Sequence, residues 1–282
     1  MKLDDLIEGT IIKRPSKIIK SPYVADIIAI PKQNEEILGH TASLGCCGLA
    51  DIGATILMSK IQGKKTKEKP KCSYRVYLSC FIDKERNQQT IVGIHPKLAE
   101  DLTEQALTGN YLSKLQNVKT YKRETVIYVE DKVDSRFDFS GIDENGLPFI
   151  MEVKNVPLAD YEDITAIERK KRNYSGRDFD SKVAYFPDGY RKKATDTVSP
   201  RALKHIRELT LIKKESKTRC IMCYVIQRTD VDRFTISVLD PQYREAVRFA
   251  IENGVEIITM VVEWTHDGVA YFVKDDLILV DL

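Results

Sequence analysis

The stretch Ser135–Lys154, SRFDFSGIDENGLPFIMEVK, reads as two strands joined by a polar turn, and its spacing constrains the chain more than any other feature. Alternation along the second run puts Glu152 and Lys154 on one face, with Met151 and Val153 on the other. Where the first run places its own acid, Asp138, depends on the length of the turn, because directly opposed residues of an antiparallel pair share a face. A two-residue Asn145-Gly146 loop would set Asp138 opposite Val153 and turn the acids apart. A three-residue loop, Glu144-Asn145-Gly146 with Gly146 left-handed, sets Asp138 directly across from Glu152. A site in this hairpin therefore demands the odd loop.

Two carboxylates and a lysine so arranged suit a divalent metal and a phosphate held together. Asp138 and Glu152, with the backbone carbonyl of Val153, form the expected ligand set for Mg2+ or Mn2+. Such an ion acidifies bound water and contacts a phosphoryl oxygen. Lys154 is the group to orient or help activate the attacking water, and Glu104 is expected to add an acid from a preceding helix. Without metal, two facing carboxylates repel and one should bind a proton.

Composition narrows the setting. The 282 residues, 43% of them hydrophobic, suit one large or two moderate globular domains. The N-terminal MKLDDLIEGTIIKRP is acidic where a signal peptide would be basic, and apolar runs such as IITMVVEW fall short of the ~20 residues that span a bilayer. A soluble, cytoplasmic protein with no membrane partner is expected. Six cysteines without an export signal read as reduced thiols, and Cys220 and Cys223, three apart on an apolar strand, point to opposite faces and cannot share a metal. The net charge is only +2, yet Ile167 to Arg219 carries 16 Lys and Arg against 7 Asp and Glu. That run is either a solvated surface or, given its place after the hairpin, a phosphate-binding face.

Residues 1–86 show short β-rich runs, GTIIKRP, YVADIIAIP, ATILMSKI and SYRVYLSCFI, which point to a small OB-like β-barrel. Lys64, Lys65, Lys67, Lys69 and Lys71 form a basic loop that either solubilises this domain or touches a nucleic-acid backbone. GHTASLGCCGLADIGA, with His40, reads as a tight interdomain turn. Residues 87–282 form the second domain. Leu98, Leu102, Ala106 and Leu107 mark a helix after Pro96, and RETVIYVED precedes the hairpin as a strand. A second helix begins with Ser199 and Pro200 and buries Leu203, Ile206, Leu209 and Leu211 or Ile212, with Lys204 and Arg207 near its other face. CIMCYVIQR follows as a central strand. FTISVLD, a helix from Pro241, VEIITMVVEW and a hairpin turning at Asp275 and Asp276 close the chain, with Trp264 and His266 read as structural.

A helix with an acid, three strands with acids on the second and third, then a helix and a central strand give the order αβββαβ. This α/β arrangement with a mixed central sheet looks like the restriction-endonuclease-like folds, and the hairpin then resembles the PD-(D/E)xK pattern. The blocks GTIIKR, SRFDF, MEVKNVPL, AYFPDG, RALKHIREL, VIQRTD and DPQYREAV resemble the sugar fermentation stimulation protein A (SfsA) family over most of the chain. The resemblance implies a barrel joined to a nuclease-like domain and a DNA-binding protein whose nuclease-type site hydrolyses phosphodiester bonds. The alternative it implies is a non-catalytic DNA-binding regulator of sugar (maltose-type) metabolism genes. Arg136, Lys192, Lys193, Lys204, Arg207 and Gln227 are the expected DNA contacts, and a homodimer is one option for assembly. One departure stands out: HTASLGCCGL matches the family's loop at His40 and Gly45 but lacks its asparagine and arginine.

Overall fold

In the computed structural model, residues 1–30, 35–41, 48–61, 71–187 and 197–282 are described. Lys64, Lys65, Lys67, Lys69, Cys46, Cys47, Gly45, Lys192 and Lys193 lie outside them. The β-branched residues of the first region line up as β1 (Ile7–Lys13), β2 (Val24–Ala29), β3 (Glu36–Thr41), β4 (Thr55–Lys60) and β5 (Tyr74–Asp83). They pair in the order β3-β2-β1-β4-β5, and a parallel pairing of β3 with β5 closes the ring. Ile11, Ile27, Ile56, Met58 and Val76 fill it. The chain thus builds the closed, OB-like barrel anticipated from its sequence. β3 was hidden in the glycine-rich segment: Gly39, His40 and Thr41 are barrel strand, not an interdomain turn. A sixth strand, β6 (Gln88–Gly93), pairs along β5, so the barrel sheet runs on to Gly93.

The second unit opens with α1 (Pro96–Thr108), followed by β7 (Thr120–Val129), β8 (Val133–Ile142) and β9 (Pro148–Val156). After β10 (Ala159–Asp160), the single turn α2 (Ala166–Arg169) and β11 (Lys182–Phe186) come α3 (Pro200–Glu215) and β12 (Arg219–Ile226). The chain ends with β13 (Val231–Ile236), α4 (Pro241–Glu252), β14 (Glu256–Trp264) and β15 (Ala270–Lys274). The main sheet has the order β15-β14-β12-β9-β8-β7, with β14, β12 and β9 parallel and both flanks antiparallel. This is the mixed sheet of the expected αβββαβ order. A smaller sheet, β10-β11-β13, was not foreseen.

Both faces of the sheet are covered. α1 lays Leu98, Leu102, Ala106 and Leu107 on one, over Met151, Val153, Ile221 and Met260. α3 lays Leu203, Ile206 and Leu209 on the other, with Ile212 packed at its margin and Leu211 exposed. β12 is buried on both sides, as a central parallel strand must be. Its Cys220 packs under α3 and Cys223 under α1, both as free thiols that burial pushes up to about 12. The final hairpin differs from expectation. It turns at Thr265–Val269, where Thr265 and Val269 bond, and the chain beyond Asp275 instead bridges to Thr259 and Phe234. Among the described residues, no helix is long and apolar enough to cross a membrane.

Candidate metal centre

The hairpin has the odd loop. The register runs from Ile142 opposite Pro148 to Phe139 opposite Met151, and the Asp143 amide bonds the Leu147 carbonyl at 2.9 Å. Three residues bridge that pair, and Gly146 is left-handed at φ 83°. Asp143 tightens the turn by accepting from the Asn145 and Leu147 amides at 2.9 and 2.8 Å, and Arg219 holds its other oxygen at 3.1 Å.

Beyond Phe139 and Met151 the pairing of β8 with β9 stops, and β8 continues with β7 alone. Phe139 packs in the core beneath α1, whereas Phe137 packs beneath α3, 5.6 Å from the His205 ring. The strand therefore turns over at Asp138. Across β7, Glu124 is left-handed at φ 53°, the mark of the same irregularity. Released from the ladder, Asp138 Oδ2 accepts the Val153 amide at 2.7 Å.

Glu152 lies in β9 beneath α3 and is only 2% exposed. Lys154 Nζ and His205 Nδ1 both contact its Oε1, while Oε2 is buried with no partner. A buried carboxylate oxygen left unpaired is costly, so it marks a place for a cation or water. Burial raises the Glu152 carboxyl, but Lys154 and His205 outweigh it and hold the group below its ordinary value. Asp138 behaves oppositely. Burial and then the Glu152 charge push it up to about 7, against Lys154 and the Val153 amide. The ladder ends before the expected Asp138–Glu152 pair, yet the two acids are close enough for the Glu152 charge to raise Asp138, and they titrate apart.

Both line one cavity of 560 Å³, with Glu100, Lys154, Asn155 and Arg201 among its walls. Glu104 is not among them: Tyr121 Oη donates to it at 3.2 Å and Arg123 at 2.9 Å, one turn farther along α1. Glu100 is the helix acid that reaches the cavity, and the same Arg123 holds it at 3.0 Å. Gln227 is corrected from a nucleic-acid contact to a core residue. It is 0% exposed, donates to Asn155 Oδ1 at 2.6 Å and accepts from Trp264 Nε1 at 2.9 Å. Its side-chain amide holds Asn155 at the cavity wall and partners Trp264, consistent with a structural indole.

The basic residues are dispersed. Arg136 is exposed beside Glu124 at 3.5 Å, Lys204 contacts the Asp134 carbonyl, and Arg207 lines a groove between α3 and α4. Among the described residues of the run from Ile167 to Arg219, Arg169 pairs with Asp160 and Arg219 with Glu256, so these two cations are engaged within the protein. Among the described basic residues of that run, Arg201, in the first turn of α3, lines the cavity. Sequence reasoning missed Arg201, Glu100, Asn155 and His205. A signal for His205 existed: in RALKHIREL it lies three residues after Ala202 and four before Leu209, on the buried face of α3.

Among the described residues, no three His, Cys, Asp or Glu side chains converge as a ready cluster for a metal. The donors on offer are the two carboxylates and the backbone between them, which suits an ion that keeps several waters.

A family model described as the sugar fermentation stimulation protein RE domain matches residues 97–268. The chain belongs to the SfsA family. A sugar fermentation stimulation protein homolog of Crocosphaera subtropica is 29% identical over 258 residues, 90% of each chain. One of Pseudomonas savastanoi pv. phaseolicola is 32% identical over 186 residues, 66% of this chain and 65% of the relative. Among solved structures, Pyrococcus furiosus SfsA in complex with Ca2+ superposes with a TM-score of 0.72 at 18% identity, covering 100% of this chain and 98% of that one. At that identity the likeness shows the shared SfsA fold, barrel included.

Proposed function

We propose that this SfsA-family chain is a metal-dependent nuclease acting on DNA, with Asp138 and Glu152 as its metal ligands. The observation that carries the reading is the unpartnered, buried Oε2 of Glu152 beside an Asp138 carboxyl pushed up to about 7. A divalent cation would pair the first and return the second to its ionised form. The Ca2+ complex of the Pyrococcus furiosus relative supports a divalent site in the fold. Mg2+ or Mn2+ is the proposed working ion, with the Val153 carbonyl as a third donor; when bound, it would acidify a water and stabilise charge on the phosphoryl group. Glu152 keeps Lys154 at the cavity, where its ammonium orients the attacking water or steadies the leaving oxygen. Arg201 and Arg136 are proposed to contact flanking phosphates, with Lys204 and Arg207; Lys192 and Lys193, outside the described residues, are proposed as further contacts on the sequence alone.

A second reading, DNA binding without turnover in the control of sugar-utilisation genes, draws on the name of the relatives and on Lys154 being held in an ion pair with Glu152. The test is cleavage of single- and double-stranded DNA and RNA with Mg2+ or Mn2+, comparing wild type with Asp138→Asn. Cleavage by wild type that Asp138→Asn loses supports the nuclease. Equal cleavage by both rejects it, and DNA binding with no cleavage by either leaves the regulator.

A further inference from the structure

Next to two residues of the same cavity's wall, Tyr23 and Pro96, the outer wall of the barrel and the start of α1 carry three basic side chains that the metal centre does not use. His40 of β3 and Arg75 of β5 are directly paired in the parallel ladder that closes the barrel, so they project from the same face. His95 stands at the N-cap of α1, held by its amide to the Tyr77 carbonyl at 3.2 Å, with its ring 5.2 Å from that of Tyr77. Tyr77 lies two residues from Arg75 on the same outer face. The three therefore form one group.

One nitrogen of each of these half-buried side chains is unsatisfied. His40 Nδ1, Arg75 Nε and His95 Nδ1 are each buried with no hydrogen-bond partner, and among the described residues Arg75 has no ion pair. Burial, then the Arg75 charge and His40, push His95 down to about 4; Asp101 opposes this and Lys97 adds to it. Burial and Arg75 lower His40 as well. Three neighbouring unpartnered nitrogens are costly to bury, and an anion relieves all of them at once. The amino end of α1 faces the same place, with no side-chain cap and no acid in its first turn, which also favours negative charge.

The group connects to the metal centre's cavity through its neighbours. Tyr23, whose ring stacks on that of His40 at 6.3 Å and 12°, lines the 560 Å³ cavity, as does Pro96, next to His95. We propose that His40, Arg75 and His95 bind a phosphate of the polynucleotide strand whose scissile bond lies at Asp138 and Glu152, so that the barrel wall sets the strand's register at the site. This rests on the nucleic-acid reading above. It assigns the barrel a defined phosphate subsite built on β3, β5 and the start of α1.

The experiment measures binding of a fluorescent oligodeoxynucleotide to the full chain by anisotropy, in EDTA, across a salt series. Arg75→Gln and the double variant His40→Gln/His95→Gln are compared with wild type and with Arg75→Lys. Loss of one phosphate contact should weaken affinity about tenfold at moderate salt and lower the salt slope by about 1, with Arg75→Lys keeping most of both. A parallel arm follows the histidine imidazole NMR signals while inorganic phosphate or the oligonucleotide is added. Thermal melts identify any variant that fails to fold, and for it the NMR arm on wild type decides. If the oligonucleotide binds wild type and the folded variants with equal affinity and slope, or leaves the His40 and His95 signals unmoved, the subsite is overturned and the nuclease reading stands. If inorganic phosphate moves those signals but no oligonucleotide binds, the strand assignment and the nucleic-acid reading both fall.

Discussion

Asp138 makes the metal-free protein less stable as pH rises, and Asp138→Asn should abolish that effect. The group is raised from 3.8 to about 7 in the fold by burial and by Glu152. Between those values the folded chain holds a proton that the unfolded chain has released, so stability is present at low pH and is lost as pH climbs toward 7. At about 1.36 kcal/mol per pH unit, the full displacement corresponds to about 4 kcal/mol, of which somewhat more than half is lost between pH 5 and pH 8. The carboxylate keeps partial contact with the open cavity, and water there screens the charge, so a loss of about 2 kcal/mol is expected. Urea denaturation in EDTA at pH 5 and pH 8 on wild type and Asp138→Asn measures it as a difference of differences, in which the other titrating groups cancel. The variant should be more stable than wild type at pH 8 and near parity at the acid end. Added Mn2+ should restore wild type at pH 8 and leave the variant unmoved. A pH dependence identical in the two proteins would refute the argument that Asp138 and Glu152 are forced together without their ion.

His205→Ala removes a contact on Glu152 Oε1 and an aromatic neighbour of Phe137. Orienting partners of this kind are worth about 10- to 100-fold in metal affinity, so titration calorimetry with Mn2+ should show a drop of about tenfold while His205→Gln retains part of it. Gln227→Ala strands Trp264 Nε1 and Asn155, which should cost about 2 kcal/mol in denaturation experiments. Trp264 is the sole tryptophan, so its emission reports the change directly, and an unaltered spectrum would contradict the hydrogen bond.

The hairpin was legible because period-two alternation and a single glycine in its turn leave few ways to place two acids together. The outcome depended on Gly146 at φ 83° and on Asp143 clamping the turn, both local effects. What the alternation could not reveal is that β8 turns over between Phe137 and Phe139, since that follows from losing β9 as a neighbour. The choice of helix acid failed for a similar reason. Glu100 and Glu104 are equivalent on one face of α1 and Arg123, arriving from β7, holds both; only Tyr121, which bonds Glu104, and the cavity, which Glu100 lines, distinguish them. Gln227 was read as a surface group because a polar residue at the end of a strand usually meets solvent. Here β6 and Trp264 cover it, a long-range contact with no local signal. Likewise a charge count over the basic run ignores acids brought in from elsewhere, such as Asp160 for Arg169 and Asp143 for Arg219.

The meeting of β6 with β12 has a consequence for how this chain can vary. The Gly93 amide bonds the Gln227 carbonyl at 3.0 Å, and a Cβ at position 93 would overlap the Gln227 amide and stand 2.7 Å from Trp264 Nε1. Neither position can drift alone. A side chain at 93 requires a shorter residue at 227, which in turn strands the indole and loosens Asn155. Residues 93, 155, 227 and 264 should therefore be inherited as a set, exchanging together when they exchange at all, and coordinated substitution at these four sites in relatives would be the record of that coupling.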